Sequence, residues 1–208
     1  MESAEFYRWL MQGGERSACD AFDAHVVASV LSLAVGEADH EGTSVVSGLG
    51  LGAQSLTEMV GEIFPHAQPL FERLGRGQEP QPAEDESCLR DLLLRYTTVG
   101  TPLEERLAAV IARRALRPNH LWQDLGLRHR RELSWLMSRH FEGLATKNSQ
   151  DMKWKKFLYR TICRDEGFVL CTAPTCGECS DFDRCFGDES GESLLATLRR
   201  ASPPTVVK

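Results

Sequence analysis

The chain has 208 residues, 42% of them hydrophobic, so it is long and apolar enough to bury a core. Its formal net charge of −6, with no interleaving of aromatic and basic residues outside the helix faces, argues against nucleic acid as a partner. No apolar run approaches the roughly 20 residues of a membrane span. Glu2 and Glu5 beside Phe6 and Trp9 do not make a signal peptide, so a cytoplasmic protein with reduced thiols and no membrane partner is expected.

Charge is unevenly spread. Residues 1–105 carry six basic and eighteen acidic side chains, residues 106–164 carry fourteen and four, and residues 165–208 carry four and eight. The middle block therefore has a net charge of +10. It could give an anion a positive approach, or its helices could face the acidic N-terminal half; the two readings are compatible.

From the N-terminus, Phe22, Val26, Val30 and Leu33 recur at helical spacing and predict one apolar stripe, which the glycine-rich run Gly42 to Gly52 interrupts. Gly48, Gly50 and Gly52 do not have the spacing of a phosphate loop. Helices are expected over Gln54 to Ile63 and Leu70 to Leu74, and Gly75 to Ser87 reads as a surface linker. Leu89, Leu92, Leu93 and Tyr96 mark a core-facing helix, while Cys19 and Cys88 stand alone and read as packed or incidental thiols. Thr101-Pro102-Leu103-Glu104 is a strong helix start, with Leu103, Leu107, Val110 and Ile111 facing inward.

Asn119-His120-Leu121-Trp122 is read as a turn before a helix over Arg128 to Leu144, whose stripe is Leu133, Leu136, Met137, His140, Phe141 and Leu144. A histidine in that setting is more often a hydrogen-bonded core residue than a metal ligand. Asn148 is a plausible C-cap, and a further helix is expected over Gln150 to Arg164. Trp154, Phe157, Leu158 and Ile162 form its core face; Lys153, Lys156, Arg160 and Cys163 form the other, either a solvated strip or an anion-binding one. A short helix is expected over Glu192 to Arg200. The fold class is all-α, an irregular helical bundle with a C-terminal four-cysteine metal-binding loop. The expected organisation is a helical segment at 1–74, a linker at 75–87, a helical core at 88–200 and a loose tail at 201–208, together one structural domain.

The chemistry is concentrated in Cys171, Cys176, Cys179 and Cys185, spaced C-x4-C-x2-C-x5-C among Gly, Pro, Thr, Ser, Glu and Asp. Buried structural cysteines behave as small hydrophobes, which these surroundings do not match, so metal binding is the natural reading. A structural zinc ion needs four sulfurs at about 2.3 Å, usually from two separated pairs, whereas a cluster spreads its cysteines over several irons and suits one compact loop. Iron–sulfur is favoured and zinc is the alternative. Glu178, Asp181, Asp183, Asp188 and Glu189 around the loop read either as a docking surface for a basic partner or as simple solubility.

The blocks His120-Leu-Trp-Gln-Asp-Leu-Gly126, Leu133-Ser-Trp-Leu-Met137, His140-Phe141, Asn148 and Asp151 to Arg160, with the cysteine loop closed by Phe186-Gly187, resemble the NifQ family of nitrogen-fixation proteins. Gly48-Leu-Gly-Leu51 and Phe64-Pro65-His66 also fit, so the resemblance covers roughly residues 45–190. It implies an iron–sulfur protein, a carrier rather than an enzyme, that supplies molybdenum for the nitrogenase iron–molybdenum cofactor. The implied partners are a molybdenum source such as molybdate, the cofactor scaffold complex and the nitrogenase Fe protein. Carried over residue by residue, Cys171, Cys176, Cys179 and Cys185 would hold an iron–sulfur cluster of the 3Fe–4S or 4Fe–4S type together with molybdenum. His120, His140 and Cys163 are further candidate ligands, and Lys153, Lys156 and Arg160 are candidate anion-binding residues. An electron-transfer iron–sulfur protein and a zinc-stabilised helical binding module are the competing readings.

Overall fold

The run around Val26 and Val30 builds the longest helix and the centre of the molecule. The computed structural model describes residues 2–13, 20–76, 79–165, 185, 188, 189, 191 and 193–195. Among these residues every regular element is helical. The order is α1 Ser3–Gln12, α2 Ala21–Glu41, α3 Val45–Leu49, α4 Ala53–Ile63, a 3-10 turn Pro65–Ala67, α5 Gln68–Leu74, α6 Glu84–Arg95, α7 Pro102–Ala115, α8 Leu121–Asp124, α9 Arg130–His140, α10 Glu142–Lys147 and α11 Trp154–Asp165.

Asp20 caps α2 by accepting from Phe22 N at 2.8 Å, and Gly42 ends it with φ 65°. Every residue from Asp23 to Gly36 is buried, so the helix is enclosed on all sides instead of presenting the single stripe expected. By length and hydropathy α2 also meets the requirements of a membrane span, against the expectation that no run comes close; the rest of the chain covers it. Ser29 and Ser32 lie in this interior because their hydroxyls donate to the carbonyls of His25 and Ala28, at 2.8 and 2.6 Å.

Helix α7 begins as expected. Thr101 Oγ1 accepts from Glu104 N at 3.3 Å, and the Glu104 carboxylate reaches back to the N–H groups of Val99, Gly100 and Thr101. The interrupted stretch from Gly42 to Gly52 contains α3 and then turns at Gly50 (φ 66°), where a Cβ would sit 2.9 Å from Arg113 Cβ on α7. At Gly126 (φ 72°) a Cβ would meet Ser29 O at 2.8 Å, so this glycine lets the turn after α8 touch α2.

Several boundaries differ from those read in the sequence. Helix α6 starts at Glu84, inside the segment read as linker; Glu84, Asp85 and Glu86 fill its first turn, where the helix dipole favours acids, and Glu86 is buried against Arg113. Leu121–Asp124 is a short helix, not a turn. The helix expected over Arg128 to Leu144 divides at Phe141 (φ −140°, ψ 49°), although all six stripe residues are buried on one core. Helix α11 starts at Trp154, not at Gln150, because the Asn148 amide closes a loop on Met152 with two 2.9 Å hydrogen bonds, and Asp151 takes φ 56°. The helix expected over Glu192 to Arg200 and the tail lie almost entirely outside the described residues.

Much of the basic block faces the acidic half. Arg106 pairs with Glu58 and Glu62, Arg113 with Glu86, Arg114 with Glu37, Arg117 with Glu37 and Glu41, and Arg139 with Asp20. One apolar core running from Phe6 to Ile162 lies behind these pairs.

Candidate functional site

Of the four motif cysteines, Cys171, Cys176 and Cys179 lie outside the described residues. Cys185 is half-buried at the edge of the core, and its carbonyl accepts from Lys153 N at 2.9 Å. The end of the motif is therefore tied to the residue that precedes α11. Among the described residues no three His, Cys, Asp or Glu side chains are grouped to hold a metal ion.

Helix α11 buries Trp154, Phe157, Leu158 and Ile162, as its periodicity requires. On its other face Lys156 is exposed, while Arg160 and Cys163 are half-buried, as is Lys153 just before the helix. The neighbouring Lys155, which the pattern did not single out, turns inward to Asp124 Oδ2 at 2.5 Å and also donates to Arg117 O. Burial lowers its pKa, and the Asp124 carboxylate only partly offsets this.

His120 and Arg130 meet at Glu189, four residues beyond Cys185. The Glu189 carboxylate, 7% exposed, lies 3.1 Å from His120 Nδ1 and accepts from Arg130 Nε. The rest of the Arg130 guanidinium is held by Asp151 Oδ1 at 2.5 Å and by the carbonyls of Asp151 and Met152 at 3.0 and 3.1 Å. Burial alone would lower the Arg130 pKa, but the bonds to Asp151 and Glu189 outweigh it and the net shift is upward. Beside this clamp is a cleft of about 490 Å³ lined by Trp122, His129, Arg130, Arg131, Asp188, Glu189 and Gly191. Glu189 is thus an internal ion-pair partner, not a surface residue for docking or solubility; Asp188 is exposed, and Glu178, Asp181 and Asp183 lie outside the described residues.

His140 is placed elsewhere. Its Nε2 lies 3.0 Å from Asp23 Oδ1 and its Nδ1 3.7 Å from Glu104 Oε1, in a separate cleft that also includes Asp20, Glu62 and Arg139. The structure therefore brings His120, but not His140, to the residues that follow the cysteine motif. Sequence reasoning missed Glu189 as the partner of His120 and Arg130. It also missed a buried chain in which Tyr7 OH meets His25 Nδ1 at 2.8 Å and His25 Nε2 meets Glu132 Oε2 at 3.2 Å. The one available signal was His25 itself, an ionisable residue inside an apolar helix.

The family model described as NifQ matches residues 26–187. The chain is 42% identical over 172 residues to the protein NifQ homolog of Sinorhizobium fredii, a match covering 83% of this chain and 75% of that relative. It is 41% identical over 110 residues to protein NifQ of Rhodobacter capsulatus, covering 53% of this chain and 61% of the relative. With protein NifQ of Klebsiella pneumoniae it shares 48% identity over 81 residues, 38% of this chain and 48% of the relative. The last two matches thus span less than two thirds of those relatives. No solved structure matches the chain.

Proposed function

This chain belongs to the NifQ family, and from that premise we propose that it is an iron–sulfur protein that carries molybdenum and donates it to the synthesis of the nitrogenase iron–molybdenum cofactor. The observation that carries the proposal is the C-x4-C-x2-C-x5-C motif, four thiols within fifteen residues. Thiolates are soft ligands that suit iron–sulfur clusters, so the donor set fits the group. Cys171, Cys176, Cys179 and Cys185 would hold the cluster, and the chemistry it supplies is a sulfur environment that keeps molybdenum bound yet exchangeable. Three of these cysteines would serve iron and the fourth would be the replaceable ligand of the cargo. We assign that role to a cysteine and not to His140, because Asp23 already engages His140 Nε2 and the ring lies in a separate cleft from the residues that follow the motif.

The chain's own residues account for capture and retention. Lys156 is exposed, and with Lys153 and Arg160 it gives an incoming molybdate a positive approach at α11, while Lys155 is committed to Asp124. The Lys153 to Cys185 hydrogen bond couples that helix to the end of the motif. In this reading the protein is a carrier, not an enzyme, and hands its cargo to the cofactor scaffold complex acting with the nitrogenase Fe protein.

Metal and sulfide analysis, with electron paramagnetic resonance, of protein purified without oxygen from molybdate-fed cells tests the proposal. Iron, sulfide and molybdenum are expected together; zinc alone overturns it. In single Cys→Ala variants of the four positions, iron and molybdenum should fall by different amounts in at least one. Equal loss of both metals in all four would exclude a separate ligand for the cargo.

A further inference from the structure

The Arg130–Glu189 contact has features that a simple surface ion pair does not need. Arg130 is fixed through its terminal nitrogens by Asp151 and Met152, so its Nε edge stays oriented whether or not Glu189 is present. His120 Nδ1 approaches the same carboxylate at 3.1 Å. The adjoining cleft, at about 490 Å³, is far larger than a carboxylate requires. Trp122, 2% exposed, forms part of the wall. Helix α9 starts at the cleft without a side-chain cap, and the N-terminus of an eleven-residue helix favours an anion. The acid of its first turn, Glu132, is directed away to His25 and to the backbone of Arg128.

We propose that Arg130, His120 and the first turn of α9, with Trp122 as the apolar wall, form a binding site for a small tetrahedral oxyanion, and that the Glu189 carboxylate occupies it as an internal competitor. A fixed guanidinium edge, an imidazole and a helix N-terminus are together a donor set that recognises oxyanions. Asp188 at the rim opposes entry, so the site favours an ion that displaces Glu189 over one that joins it. Glu189 lies four residues after Cys185, so its release would couple anion binding to the end of the cysteine motif. That coupling rests on the carrier function proposed above; the anion site itself does not.

The test is equilibrium dialysis of the full chain against molybdate, with sulfate as a second probe. The wild type, Glu189→Gln and Arg130→Gln proteins are compared, each also with the four motif cysteines changed to Ala. Removing the competing carboxylate should tighten molybdate binding by about tenfold, and Arg130→Gln should abolish binding in either background. Persistence of the tenfold gain without the cysteines supports the site, even if metal analysis shows that the carrier reading fails. Sulfate binding equal to molybdate also supports it and makes the site a general oxyanion site. If Glu189→Gln lowers the melting temperature and leaves both affinities unchanged, the contact is only structural and the proposal falls. It falls equally if all molybdate binding disappears with the cysteines.

Discussion

Tyr159, half-buried on α11, shows how one side chain reports on its surroundings. Burial raises its pKa above the ordinary value of 10.0, and the negative charge of Asp85 adds to the effect. A group whose folded-state pKa is raised contributes stability that is complete below its unfolded value and is lost as pH rises through its folded value. Alkaline titration followed by phenolate absorbance should therefore show a late component among the three tyrosines, and Tyr159→Phe should remove it. Persistence of the late component in that variant would show that it does not come from Tyr159. Glu189 is the opposite case, a residue whose surroundings were not legible. Its clamp to Arg130 spans 59 residues of sequence, and no spacing rule joins residues so far apart. The cysteine motif stands out as a pattern because its four thiols are neighbours in sequence.

At the scale of elements, the start of α7 is both the best-read and the most dependent on one group. The Thr101 and Glu104 pairing is local, three residues apart, and so could be read directly. Its larger consequence could not: Glu104 is 2% exposed and also gathers the loop donors of Val99 and Gly100. Glu104→Ala removes the shared charged acceptor of the Val99, Gly100 and Thr101 N–H groups and should cost about 2 kcal/mol, measured by urea unfolding; a loss equal to that of Thr101→Ala, about 1 kcal/mol, would reduce Glu104 to a simple cap. The division of α9 from α10 at Phe141 was hidden for the converse reason. The apolar periodicity runs straight through the break, since Met137, Phe141 and Leu144 all reach the core. The α11 boundary was missed because Asn148 closes a loop with its side chain, and a loop with helix-like composition gives no warning.

For the whole molecule, the division of charge along the chain becomes an internal seam. Most of its pairs are partly exposed and contribute little singly. Arg114 is different: it is fully buried, it bonds Glu37 at 2.6 Å, and burial lowers its pKa despite that partner. Glu37→Gln would leave the guanidinium without its counter-ion and should destabilise the protein by about 3–5 kcal/mol. Changing both Glu37 and Arg114 to neutral residues should recover part of that loss in the same unfolding assay; a double variant no better than Glu37→Gln would show that packing, not charge, holds the seam. The all-helical class followed from periodicity, but the enclosure of α2 did not, because only distant segments complete it.

That enclosure sets an order of events when the protein is made. His25 of α2 meets Glu132 across 107 residues of chain. At about 5–20 residues per second, a ribosome needs roughly 5 to 20 s to reach that partner after finishing His25. During this interval a helix apolar enough to cross a bilayer has emerged without its outer wall, so a nascent chain stalled before α9 would be a natural client for chaperones.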